Sequence, residues 1–501
     1  MKYKPQTKDE LKELVKDENI YLGDIDTSLI TDMKNLFYES SRKDFEGIEC
    51  WNVSNVENMS YMFCDAVNFN SNINNWNVSN VDDMSRMFYN CKKFNQPLND
   101  WNVSKVTNMS CMFSSAKKFN QPLNDWDVSN VKNMEFMFSK AESFNQSLDK
   151  WNTSKVLSMM CMFSAAVNFN QTLNNWDTSN VENMQSMFAW AYNFNQPLNN
   201  WNVSKVEKMI GMFEGAKSFN QDINNWNVSN VKNMSSMFGG AESFNQPLDK
   251  WDTSNVVNMK FMFYNAKNFN QNINTWNVGN VIKMYSMFEN AYNFNQPLDK
   301  WNTSNVLYMI RMFFNAKNFN QDIGSWNVFS AISMSYMFSG AESFNHSIEN
   351  WIINEACFID DIFSGASSFK NVKSILNIYF ISKGNNRKKL LAMLENCDIK
   401  EVYKEVLKYN KLKDFIKKLE NTYYDELKEL IENKDSIILE YKKTKKIELK
   451  NNEKYKPKNK IELLKLIKEK VKFNKIDTSL ITDMSSLFQN SKLKKFDGIE
   501  T

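Results

Sequence analysis

Histidine, glycine and proline are scarce in this chain. Its 501 residues include one His, 12 Gly and seven Pro. A lone His excludes the common His-pair metal sites and leaves only His346 to serve a Ser-His-Asp triad. His346 replaces a Gln that recurs elsewhere ("FNQ" becomes "FNH"), the mark of a surface substitution. The seven Cys are an odd set with no Cys-x-x-Cys pair, so they read as free thiols without a disulfide framework. No run approaches 18 apolar residues, so no transmembrane helix is expected. The opening 24 residues are charged, and neither an apolar export segment nor a lipidation Cys appears there. The 61 basic and 58 acidic residues leave a net charge of +3, which argues against a nucleic-acid binder driven by charge. No GxGxxG, GxxxxGK[ST], HExxH or GxSxG is present, so no cofactor, metal or catalytic residue is assigned.

What the chain has is repetition. Trp stands at 51, 76, 101, 126, 151, 176, 201, 226, 251, 276, 301, 326 and 351. With Trp as position 1, Val or Thr usually fills position 3, Ser 4, Val 6, Met 9 and 12, Phe 13 and Ala 16. Phe-Asn fills 19 and 20, and Leu or Ile fills 23. A fixed period of 25 without insertions reads as a solenoid, each repeat being one coil. Hydrophobic residues make up 42% of the chain, enough for a continuous core.

Within a coil the spacing changes. Trp51 and Val53 are two apart, the period of a strand. Met59, Met62, Phe63 and Ala66 fall at i, i+3, i+4 and i+7, one stripe of a helix. Ser54 with Glu57, repeated at Ser179/Glu182 and Ser204/Glu207, forms a capping-box pattern ahead of it. Pro97, Pro122, Pro197, Pro247 and Pro297 fall in the return loop. The expected fold is therefore α/β: a solenoid of 25-residue strand-helix coils, with Trp on Trp and Phe on Phe about 4.8 Å apart. The Asn of Phe-Asn, from Asn70 to Asn345, is expected to form a side-chain ladder bonded to turn backbone.

The phrase W-N/D-V/T-S-x-V-x-x-M-x-x-M-F-x-x-A-x-x-F-N-Q-x-L/I, with its lead-in Tyr21 to Phe37, resembles the BspA-type leucine-rich-repeat surface proteins of bacteria. The resemblance covers about residues 1–370 and again 454–501. It implies a leucine-rich-repeat-like solenoid, display at the cell surface, and adhesion or protein contact. It brings no catalytic residues.

Four regions are expected. Residues 1–24 form a helical cap, with Thr7/Glu10 as a capping box and Leu11, Leu14 and Val15 facing the first coil. Residues 25–370 form the solenoid, opening with a degenerate coil that carries Met33, Leu36 and Phe37. Residues 371–453 are helical, with stripes at Leu412, Phe415, Ile416 and Leu419 and at Leu427, Leu430 and Ile431. Residues 454–501 repeat the lead-in, "IDTSLITDM" being identical at Ile25–Met33 and Ile476–Met484. They are expected to form a second cap with Met484, Leu487 and Phe488 poorly buried, in a chain truncated after duplication or part of a longer one. The functional expectation is a non-enzymatic scaffold that contacts a protein partner or cell-surface ligand through a sheet face or loops. The alternative is an intracellular interaction module. Asp127, Asp177 and Asp252, beside Trp, could line an acidic stripe on that face, but read more readily as solvated substitutions.

Overall fold

The structure is a computed structural model that describes residues 2–382 and 384–406. The helical stripes from 412 to 431 and the second lead-in at 454–501 lie outside the described residues.

Each repeat pairs with the next one, but not as strand and helix. Among the described residues, strand accounts for only 4% and helix for 10%, and there is no sheet. The expected strand-helix coil is thus corrected to a coil of turns. The parallel contacts are isolated bridges, one per repeat, at position 8: Asn58 with Asp83, Asp83 with Asn108, and onward to Ser333 with Phe358. The Trp51–Val53 segment carries no ladder of its own.

The Met-Met-Phe segment forms an arc in which backbone N–H groups alternate between two kinds of acceptor. Those of Met59, Tyr61, Phe63 and Asp65 donate to Asp83, Ser85, Met87 and Tyr89 of the next repeat, at 2.8–3.0 Å. Those of Met62, Cys64 and Ala66 turn back to Met59, Tyr61 and Phe63, three residues earlier. Residues 11 and 15 of the repeat are left-handed, as at Tyr61 (φ 60) and Asp65 (φ 62). That is the φ a type II turn requires at its third residue. The arc closes every backbone donor it carries, which is why it replaces a helix without an unsatisfied group. Ser54 does not head a helix either. Its N–H is accepted by Asn52 Oδ1 at 3.1 Å, an Asx turn.

The core is the one the spacing implied. The thirteen periodic Trp, from Trp51 to Trp351, are 1–4% exposed, and the Met, Phe, Ala and Leu/Ile columns are buried with them. Neighbouring indoles lie nearly parallel with centroids 6.1–6.5 Å apart. The position-13 rings are 5.4–5.8 Å apart. Both exceed the expected 4.8 Å because stacked rings settle with an offset. Each indole N–H also finds an acceptor: that of Trp76 donates to the Ile48 carbonyl at 3.1 Å, which already accepts the Trp51 N–H. Where Thr replaces Val at position 3, its hydroxyl donates to the next repeat, as Thr153 does to the Asp177 carbonyl at 2.8 Å.

Both ends of the stack are covered. Helix α1 (Lys8–Lys16) starts at Thr7, whose hydroxyl accepts the Glu10 N–H, and buries Leu11 and Val15. The buried guanidinium of Arg42 holds its far end by donating to the carbonyls of Val15, Asp17 and Ile20. At the other end lie α2 (Val372–Ile381), α3 (Gly384–Glu395) and α4 (Ile399–Val406). Their side chains take over the pairing that a further repeat would supply. Ser374 Oγ accepts the Ile348 N–H, Asn377 donates to the Trp351 carbonyl, and Asn386 bonds both the Ile359 carbonyl and the Asp361 N–H.

Candidate functional site

Two exposed features break the regularity of the stack. The first is at position 7. Glu57, Asp82, Thr107 and Lys132 occupy it early in the array, Leu157, 46% exposed, interrupts them, and Glu182, Glu207 and Lys232 follow. From the ninth repeat onward the position turns apolar, at Val257, Ile282, Leu307 and Ile332, and Phe358 at position 8 of the last repeat extends the row. These five sit in successive repeats joined by backbone bonds, Ile282 N–H to Val257, Leu307 to Ile282, Ile332 to Leu307 and Phe358 to Ile332, at 2.8–2.9 Å. Val257, Ile332 and Phe358 are 39%, 43% and 62% exposed. A row of exposed apolar side chains of this kind departs from the mostly polar surface of the earlier repeats.

The second feature is the turn face, positions 10, 11, 14 and 15. Residue type varies here from repeat to repeat: small side chains such as Ser60, Ser114 and Ser235 are buried, and larger ones such as Trp190 reach into solvent. These positions carry Arg86, Phe136, Met160, Trp190, Phe261, Tyr285, Arg311 and Tyr336, among others. Guanidinium groups lie on rings here. Arg86 sits 5.1 Å from the centroid of Tyr61 and 6.0 Å from that of Tyr89. Arg311 lies 4.8 Å from Phe314 and 5.5 Å from Tyr336, with Glu289 at 3.3 Å.

A family model described as "Mycoplasma protein of unknown function, DUF285" matches residues 9–126, 98–200, 192–297 and 268–376. The chain belongs to the DUF285 family. No curated protein matches it. The DUF285 matches together run from within α1 into α2, so the family repeat coincides with the stack described above.

On the DUF285 turn face lies a slot of about 750 Å3, between Trp190 and the ring pair Phe261–Tyr264. Its floor is made by Gly215, Gly239 and Gly240. The indole of Trp190 rests flat against Gly215, where a Cβ would collide with it, and is 46% exposed. Phe261 and Tyr264 meet edge to face at 5.6 Å. Within the slot, Glu242 holds Lys267 at 2.8 Å and Lys217 at 3.5 Å. Lys260 lies over the Tyr285 ring at 5.7 Å. Glu214 has no ion pair among the described residues, and burial raises its carboxyl above the usual range. Neither the slot nor the stripe was foreseen from the sequence; the only signal was the change of residue type at fixed repeat positions.

The three Asp residues beside Trp do not form a site. Asp127, Asp177 and Asp252 are exposed and each accepts the N–H of the Ser two residues on, at 2.9–3.1 Å. Hydrogen bonds from that Ser hold their carboxyls below the ordinary value. They do what Asn52 does in the same place. His346 is half-buried in its Gln position. All seven Cys are free thiols. Burial pushes Cys161 up to about 11 and Cys357 up to about 12, against reactivity as thiolates. Among the described residues no cluster of His, Cys, Asp or Glu could hold a metal, and no helix is long and apolar enough to cross a membrane.

Proposed function

We propose that this DUF285 protein is a non-enzymatic repeat scaffold that binds a partner protein along its side. One observation carries the reading. At position 7 the same backbone ladder changes from mostly polar to apolar and stays apolar for four repeats, with Phe358 extending it at position 8 of the last repeat, leaving Val257, Ile332 and Phe358 substantially exposed. Core packing does not require this, since Glu57 and Asp82 occupy the position in equally well-packed repeats. A solvated stripe of that length contributes to stability only when another surface covers it. The turn face beside it supplies Arg, Trp and Tyr, the residue types that dominate binding energy at protein interfaces. The resemblance to BspA-type surface repeats supports adhesion at the cell surface as the setting. A second setting, inside the cell, is favoured by the seven free thiols.

The test is cross-linking in the native cell followed by mass spectrometry. Ile282→Asp with Ile332→Asp should remove the partner's cross-links, while Glu57→Ala with Asp82→Ala keeps them. The opposite pattern, or equal retention in both, overturns the reading. Protease treatment of intact cells separates the settings, because only a surface protein is digested.

A further inference from the structure

The turn face contains one complete guanidinium cluster and, three repeats earlier, the same cluster without its cation. In the complete one, Glu289 at position 14 pairs with Arg311 at position 11 of the next repeat, at 3.3 Å. The guanidinium lies on Phe314 of its own repeat and on Tyr336, position 11 of the repeat beyond. Shifted back by three repeats, Glu289 corresponds to Glu214 and Tyr336 to Phe261. Arg311 corresponds to Ser236 and Phe314 to Gly239. The carboxylate and the outer ring are thus kept, while the cation and the inner ring are reduced to a hydroxymethyl group and a hydrogen. The slot between Trp190 and Phe261 is the space this leaves.

We propose that the slot receives an arginine side chain of the partner protein. Its guanidinium takes the place beside Glu214 and Phe261 that Arg311 takes beside Glu289 and Tyr336. This rests on the reading of the chain as a protein-binding scaffold. Arginine fits better than lysine because its planar fork matches a carboxylate and stacks on a ring. Both walls offer rings, the exposed indole of Trp190 and the Phe261–Tyr264 pair. The neighbouring cations do not compete for the site. Lys217 and Lys267 are held by Glu242, and Lys260 lies over Tyr285 on the far wall.

The probe is the capped tripeptide acetyl-Gly-Arg-Gly-amide, titrated into the full chain labelled with 5-fluorotryptophan. The fluorine resonance of Trp190 is identified by its loss in Trp190→Phe. The arginine peptide should shift that resonance at millimolar concentration. The same peptide with citrulline, equal in shape but uncharged, should bind at least tenfold more weakly. Glu214→Gln should weaken the arginine peptide by a similar factor. Ser236→Arg should abolish its binding by filling the place from within. Circular dichroism establishes that each variant is folded. Equal binding of the citrulline peptide, undiminished binding to Ser236→Arg, or no shift of Trp190 at all overturns the proposal. Ile332→Asp should bind the peptide as wild type does. If the peptide fails while cross-linking still depends on Ile282 and Ile332, this inference falls and the scaffold reading stands.

Discussion

The side-chain oxygen of Asn220 accepts the backbone N–H of Asn245 at 2.9 Å and the side-chain amide of Gln246 at 3.1 Å. The same pair of bonds recurs along the stack, from Asn70 with Asn95 to Asn345 with Lys370 for the backbone donor. Asn220→Ala leaves a partly buried N–H without its acceptor. It should cost about 1–3 kcal/mol. Asn199, on the exposed return segment, accepts from the Asn174 amide at 3.2 Å and donates to Asn200 Oδ1 at 3.3 Å, both exposed side-chain contacts, and Asn199→Ala should stay within about 0.5 kcal/mol. Urea midpoints of the two variants check the difference, and equal midpoints would refute the ladder's role.

Trp201→Ala should destabilise by about 3–5 kcal/mol, the usual cost of emptying a large core site. Trp201 is 4% exposed and stacks on Trp176 and Trp226. The Leu173 carbonyl that receives its indole N–H keeps the backbone N–H of Trp176, so the loss is of packing rather than of a buried acceptor's only partner. Calorimetry should show a melting shift well beyond that of Asn220→Ala.

Ala165 sits at repeat position 15 with φ 56. A left-handed residue with a Cβ carries strain that glycine relieves. Gly215, Gly240, Gly340 and Gly365 already stand at that position in other repeats. Ala165→Gly should therefore be neutral or stabilising by up to about 1 kcal/mol, after the greater freedom of the unfolded chain is subtracted. Gly47→Ala should do the reverse, because a Cβ there would collide with the Gly23 backbone at φ 89. Thermal melts of both variants give the comparison.

Glu214 is raised above its ordinary pKa by burial alone. Its folded form therefore binds a proton more readily than its unfolded form does. That favours folding below the unfolded pKa and is lost as pH rises through the folded one. Glu214→Gln should melt higher than wild type at pH 7, and the gap should close as the pH falls through the carboxylate range. A gap unchanged down to pH 3 would mean that the carboxylate's charge is not the cause.

The buried columns were legible because one residue type recurs at each position: Trp, Met, Met, Phe, Ala and Phe obey the period and are all inside. The local path of the chain was not. Spacings of three and four belong to a helix, but also to consecutive turns closed by i to i+3 bonds, and the arc from Met59 to Ala66 is the second kind. Propensity gave no warning, since the left-handed positions hold Tyr61, Arg86 and Phe136, types that disfavour that region. What fixes them there is the row of acceptors in the next repeat, 24 residues on. The slot was hidden for the same reason. Glu214, Ser236 and Phe261 are neighbours only after the repeats are superimposed one period apart, and two of the three look ordinary alone.

The arc also gives the stack an electrical direction. In most repeats four N–H groups, such as those of Met59, Tyr61, Phe63 and Asp65, point toward the C-terminal end, while those at position 7, at position 20 and in many repeats at position 18 point back. Peptide dipoles of about 3.5 D arranged this way cancel only in part, and the forward set is the larger. The end beside α1 is accordingly the negative pole of the arcs, and the end beside α2 is the positive pole. An ion or charged surface approaching along the axis meets opposite potentials at the two ends, although the chain as a whole is close to neutral.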